Sequence, residues 1–218
     1  MTNPLREHPS PYDYFNRYRR WFRELSEFAD LYHWDEYREE YAWAQDEFNR
    51  LTEQGWTEAA FTQTDWCLLR QPFYHRWSHW DHVLDVMDGA TLRGTILDYG
   101  CGTGEMLAWL ERRRPGWEYD GHDLESPHYE YAKWRGYEPL DDWQDQRYHV
   151  VTCYETLEHV REPLEAVESM LKVIRPGGWL LWDFVDDPGG GNVATREERS
   201  EVLRRLGGVT GMGEYYRV

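Results

Sequence analysis

The sequence predicts an α/β fold, a doubly wound and mostly parallel sheet behind an N-terminal helical cap, and three observations predict it. Residues 96–107 read Ile-Leu-Asp-Tyr-Gly-Cys-Gly-Thr-Gly-Glu-Met-Leu, an apolar strand running into a glycine loop and then a helix. From there through residue 181, short apolar runs alternate with helical stretches, the order that builds a parallel sheet through helical crossovers. Before residue 90, aromatic residues instead recur at helical spacing. The chain is therefore divided into a helical cap over 1–90 and a sheet domain over 91–218.

In the cap, Tyr14, Tyr18, Trp21, Leu25, Phe28 and Tyr32 recur at steps of three or four, as one helix face does. A second stripe, Tyr37, Tyr41, Ala44, Phe48 and Leu51, follows Asp35 as N-cap and stops at Gly55. A further helix is expected over Phe73 to Met87. In the sheet domain, Glu105 to Arg114 reads as a helix closed by Pro115-Gly116, and Trp117 to His122 as a strand. Ser126 and Pro127 are an N-cap and first-turn proline for a helix that Gly136 ends, after which Tyr137 to Leu140 reads as a short strand. Pro163 to Ile174 is helical by pattern. Thr195-Arg-Glu-Glu198 is a capping box for a helix to Leu206, and Glu214 to Val218 is expected to be a last strand.

Composition narrows the function. The 218 residues suit one α/β domain with an extension, 40% of them are apolar, and the mean hydropathy of −0.89 implies a very polar surface. The net charge of −17, from 41 acids against 24 bases, repels phosphate backbones and argues against nucleic acid as partner. There is no apolar run near the ~20 residues of a membrane span, and the first residues lack a signal-peptide core, so no membrane association and a cytoplasmic location are expected. Cys67, Cys101 and Cys153 are widely spaced, suggesting reduced thiols and neither a disulfide framework nor a zinc cluster.

The glycine loop carries the chemistry. Gly100, Gly102 and Gly104 let the backbone turn sharply and approach a ligand, with Asp98 at the strand's carboxyl edge, where open α/β sheets place ligands. The spacing is not that of a dinucleotide fingerprint, and Glu105 at the helix start repels pyrophosphate and suits a cation. No G-x-x-x-x-G-K-[S/T] loop for a nucleoside triphosphate occurs.

The D-x-G-x-G-x-G spelling resembles motif I of class I S-adenosylmethionine-dependent methyltransferases, and about 90 residues follow that family's order. Trp117 to Asp123 looks like its second strand, Val150 to Val160 (VVTCYETLEHV) like its fourth strand and loop in the Leu-Glu-His-Val variant of small-molecule enzymes, and Arg175-Pro-Gly-Gly-Trp-Leu-Leu like the turn into its fifth. The resemblance implies a Rossmann-like fold and methyl transfer from S-adenosylmethionine to O, N or C of a small-molecule acceptor. Only about ten residues follow Gly208, so one of the two closing strands usual in the family is expected to be shortened or missing.

The site implied by the resemblance is specific. Gly100, Cys101, Gly102 and Gly104 would meet the methionine moiety, with Asp98 receiving its ammonium. Asp123 would hold the ribose hydroxyls, beside Leu124, while Asp141 and Asp142 would take the adenine amino group next to a stacked Trp143. Tyr154 would line the methyl site, and Glu158 and His159 would face the cleft, His159 as base for a hydroxyl or ammonium acceptor and otherwise as a loop-ordering residue. His75, His79 and His82 fall on one helical face at i, i+4 and i+7. That spacing suits zinc or iron, but with the interleaved Trp77 and Trp80 it equally suits a histidine-aromatic face packed over the cofactor cleft, covering S-adenosylmethionine or touching substrate, and no metal is assigned. The loop 186–192, with three consecutive glycines, is a candidate lid or a plain surface connection.

Two other readings compete. A basic peptide would welcome the acidic surface of a protein methyltransferase, and a non-catalytic protein could hold S-adenosylmethionine or S-adenosylhomocysteine as a ligand. A nucleic-acid enzyme is disfavoured further because Tyr154-Glu-Thr-Leu stands where an [N/D/S]-P-P-[Y/F] loop would be.

Overall fold

The computed structural model describes residues 19–29, 34–70, 77–90, 92–139, 146–184, 193–206 and 214–217. The elements are α1 (Arg19–Ala29), α2 (Trp34–Glu53), α3 (Thr57–Gln63), α4 (Trp66–Arg70), α5 (Trp77–Ala90), β1 (Thr95–Tyr99), α6 (Glu105–Glu111), β2 (Glu118–His122), α7 (Pro127–Trp134), β3 (Tyr148–Cys153), a 3-10 turn (Leu157–His159), α8 (Pro163–Val173), β4 (Ile174–Trp182), α9 (Arg196–Arg205) and β5 (Glu214–Arg217). They build a five-stranded sheet of order β2-β1-β3-β4-β5. The first four strands are parallel, and β5 closes the sheet antiparallel to β4, with Leu181 opposite Tyr215.

Alternation along the strands supplies both faces. Ile96, Val150 and Leu181 point to a cluster with Trp80, Val83 and Met87 of α5 and Met106, Leu107 and Leu110 of α6. Their neighbours Leu97, Val151 and Leu180 point the other way, onto Ala166, Val167 and Met170 of α8 and Val202 of α9. Ile96, Leu97, Val150 and Val151 are at most 1% exposed, each worth about 1.5–3 kcal/mol of burial. The strands thus read as continuous apolar runs because both of their faces are covered.

Tyr14, Tyr18 and Tyr32 of the first stripe lie outside the described residues; the second stripe packs largely as expected. Leu25, Tyr37, Ala44, Phe48 and Leu51 are buried, and Tyr37 Oη donates to the carbonyl of Leu69 at 2.7 Å. Leu25, Leu68 and Leu69 cluster with Tyr131 of α7, so α1, α2 and α4 rest on a crossover helix of the sheet. Gly55, at φ +77, ends α2 while Trp56 N–H donates to Leu51 O.

Several boundaries differ from expectation. Asp35 lies inside the first turn of α2, not at its N-cap, because the helix already starts at Trp34. Residues 137–139 form no strand. Gly136 at φ +91 turns the chain so that Tyr137 O takes the N–H of Gly121 at 2.5 Å, and the Tyr137 ring packs under the glycine loop. The Arg175-Pro-Gly-Gly segment is a bulge within β4, where pairing passes from Tyr148–Ile174 to Val150–Trp179. The Ser126 cap, with Pro127 in the first turn, and the Thr195–Glu198 capping box are both present. The 186–192 loop lies outside the described residues.

Candidate cofactor and acceptor site

The site begins where β1 ends. Gly100, Gly102 and Gly104 adopt φ of +81, +56 and +74, a left-handed region that costs other residues ~1–2 kcal/mol each. The loop is tied to its neighbouring strand, since the N–H groups of Gly100 and Cys101 both donate to His122 O, at 2.7 and 3.1 Å. Close packing adds a second demand for glycine. A Cβ on Gly100 would overlap the Thr156 side chain, and one on Gly104 would lie 2.6 Å from the Tyr137 ring. Glu105 does not present a free charge to the loop, contrary to the expectation that it suits a cation. Arg135 Nη1 donates to its carboxylate at 2.6 Å and to Thr103 O at 3.0 Å.

Two carboxylates flank the loop and are treated oppositely by their surroundings. Asp98 is 5% exposed and accepts from Thr152 Oγ1 at 2.7 Å. Burial pushes its carboxyl up to about 7, against the Thr152 hydrogen bond and helped by the nearby charge of Asp123. Asp123 follows β2, its Oδ2 accepting from Gly102 N–H and its Oδ1 from Leu124 N–H, both at 2.7 Å. Burial raises Asp123 as well, but His128 and these two N–H bonds outweigh it and hold the carboxyl below its ordinary value. Gly102 and Leu124 take one acceptor position on each Asp123 oxygen and His128 Nε2 stands 3.5 Å from Oδ1, so the open acceptor position is on Oδ2.

The opposite wall comes from β3 and β4. Past Cys153 the chain passes Glu155, a non-glycine residue at φ +51, whose N–H donates to buried Asp183 Oδ1 at 2.6 Å. Thr156 then donates to Tyr154 O at 2.9 Å, and His159 N–H to Thr156 O at 2.9 Å, which forms the 3-10 turn. Glu158 is 2% exposed, and its carbonyl accepts from Val193 and Ala194, so it holds the chain leading into α9. The half-buried His159 ring lies 4.9 Å from Phe61 of α3. Burial raises the Tyr154 hydroxyl well above its ordinary value, followed by Asp183 and Asp98.

Residues 17–203 match a family described as a methyltransferase domain. The chain belongs to that family. Over 119 residues it is 31% identical to the ubiquinone biosynthesis O-methyltransferase of Alkalilimnicola ehrlichii, an alignment covering 49% of this chain and 47% of that one. The ubiquinone biosynthesis O-methyltransferase of Proteus mirabilis is 35% identical over 104 residues, 42% of each chain. This methyltransferase domain thus spans somewhat under half the length of the curated relatives it matches. A SAM-dependent methyltransferase from Aquifex aeolicus, 19% identical, aligns with a TM-score of 0.47 over 62% of this chain and 88% of that one.

Of the residues expected at the site, Asp98, Gly100, Cys101, Gly102, Gly104, Asp123 and Leu124 gather at the carboxyl ends of β1 and β2, and Tyr154, Glu158 and His159 follow β3. Asp141, Asp142, Trp143 and His75 lie outside the described residues. The backbone of His79 is in α5, and His82 is half-buried. Helix α5 packs on α6 and the sheet through Trp80, Val83 and Met87, with Trp80 and Trp109 ring centroids 5.7 Å apart. Among the described residues, Phe61 of α3 is one aromatic neighbour of His159. Among the described residues no group of three His, Cys, Asp or Glu is placed to hold a metal, and no helix is long and apolar enough to cross a membrane. Sequence reasoning missed Thr152, Thr156, Asp183, Phe61 and His128. An acid directly after a strand is the signal that marks Asp183, whereas Phe61 sits in a helix with no motif.

Proposed function

We propose that this methyltransferase domain binds S-adenosylmethionine and transfers its methyl group to O, N or C of a small-molecule acceptor. The observation that carries the reading is the bond from Gly102 N–H to Asp123, which joins a loop of three left-handed glycines to an ionised carboxylate across the carboxyl ends of β1 and β2. That cradle fits the group. Glycine backbone can lie against a methionine moiety without a Cβ in the way, Asp98 can receive an ammonium, and the open acceptor position on Asp123 Oδ2 suits a ribose hydroxyl. When bound, the cofactor supplies a methyl carbon activated by a positive sulfur.

The chain's own part is then alignment and exclusion of water. Tyr154 lines the methyl position, and Glu158 orders the 3-10 turn that carries His159. His159 takes the proton of a hydroxyl or ammonium acceptor, and residues 1–90 select that acceptor, with Phe61 beside His159. Asp141, Asp142 and Trp143 are kept as the adenine contacts, and His75, His79 and His82 as substrate contacts. The ubiquinone biosynthesis relatives support a small organic acceptor, and the net charge of −17 supports a partner other than nucleic acid. A cytoplasmic location goes with this reading and is supported by three buried free thiols, Cys67, Cys101 and Cys153.

The test is metabolite profiling of a cell extract incubated with S-adenosylmethionine and the protein. A small molecule should gain the mass of one methyl as S-adenosylhomocysteine accumulates. Labelled methyl found only on polypeptide would replace the small acceptor with a protein one, and no label transfer would leave a binding protein.

A further inference from the structure

We propose that His128 is a positioning residue for the Asp123 carboxylate and so sets how tightly the ribose of the cofactor is held; this rests on the cofactor reading above. His128 is the second residue of α7, whose start is fixed by Pro127 and by Ser126 Oγ accepting from Tyr129 N–H at 3.2 Å. Helix side chains lean toward the N-terminus, so from this position the ring lies back over the turn that carries Asp123. Its Nε2 stands 3.5 Å from Asp123 Oδ1.

Packing does not account for this histidine. The residue is 4% exposed, and Nδ1 is buried with no hydrogen-bond partner among the described residues. A leucine would fill such a site without a bare polar nitrogen. The contact instead supplies what Asp123 lacks. Gly102 and Leu124 hold its two oxygens from the loop side, and His128 approaches from the helix side. Asp98, Cys67, Cys101 and Tyr99 all feel the Asp123 charge, and each of them is an acid. Of the two imidazoles beside Asp123, His122 is driven toward its neutral form by desolvation, and His128 is the one whose Nε2 faces Oδ1. An ionised carboxylate can accept from a ribose hydroxyl while it holds Gly102, Leu124 and His128, whereas a protonated one loses that acceptor.

The experiment measures S-adenosylhomocysteine dissociation constants for the full chain, His128→Leu, His128→Gln, Asp123→Asn and the His128→Leu, Asp123→Asn double variant. His128→Leu should weaken binding about tenfold, the scale of a lost hydrogen bond to a charged group. His128→Gln, whose amide N–H reaches the Nε2 position, should stay within about threefold of the parent. In the Asp123→Asn background the leucine should cost less than about twofold, because a positioning residue acts through its partner. In turnover, the KM for S-adenosylmethionine should rise with kcat unchanged. Equal losses in both backgrounds, or no loss in the parent, would overturn the proposal and leave His128 a packing residue. If the leucine variant does not fold, His128→Asn against His128→Gln decides, since the shorter amide falls short of Oδ1, and equal affinities would count against the proposal. A parent protein that does not bind at all overturns the cofactor reading, and this proposal with it.

Discussion

The two sides of the candidate site are built in different ways. Around the glycine loop, the polar contacts come mainly from backbone N–H and C=O groups and from Asp123, with Thr152 bonding Asp98 and Thr156 packing on Gly100 from beyond β2. The facing wall is assembled from Phe61, residues 154–159 and Asp183, and joins α3 to the ends of β3 and β4. A backbone cradle offers one shape to one ligand, while a wall of side chains from distant elements can change without disturbing the sheet. The first suits a shared cofactor and the second a variable acceptor.

The contrast can be pressed hardest at Asp98. Its carboxyl rises from an ordinary value near 4 to about 7 through burial, so the folded state binds this proton more readily than the unfolded one. Its contribution to stability therefore falls as pH rises from about 4 through about 7, by up to about 4 kcal/mol. Denaturant unfolding across pH 5 to 8 should show Asp98→Asn with a flatter profile than the parent, and parallel profiles would mean that the carboxyl is not raised. Next in size is Gly100→Ala, which places a Cβ on Thr156 and a side chain at φ +81. It should cost about 3 kcal/mol in unfolding free energy, and a loss under about 1 kcal/mol would show that the two walls are not packed together there.

The remaining substitutions separate the walls by function. His159→Ala should lower turnover about a hundredfold while S-adenosylhomocysteine affinity stays within about twofold. Unchanged turnover would make His159 a loop-ordering residue. Asp123→Ala should do the reverse, weakening S-adenosylhomocysteine by about 2 kcal/mol, and an unchanged dissociation constant would remove it from the ribose site.

How legible each wall was in the sequence follows from this construction. Left-handed glycines, an acid at a strand end and a Ser-Pro helix start are local devices, so residues 96–107 and 117–136 could be placed before any coordinates. Of the strand expected at 137–140, the described residues 137–139 form none, because Tyr137 is buried under Gly104 by a loop, which periodicity does not distinguish from a strand. The three histidines of 75–82 share a face by spacing alone, and the described part of α5 adds that Trp80, Val83 and Met87 go to the sheet core. Spacing gives a helix its face but not its neighbour. The approach of Phe61 to His159 spans almost a hundred residues, and no pattern within either segment announces it.

Calorimetric titration of the purified protein with S-adenosylhomocysteine tests the central claim most directly. The glycine cradle and Asp123 predict one site of micromolar affinity, on the order of −8 kcal/mol, lost when Gly102, at φ +56, is replaced by valine. No heat with either S-adenosylhomocysteine or S-adenosylmethionine, or equal binding by the Gly102→Val protein, would contradict it.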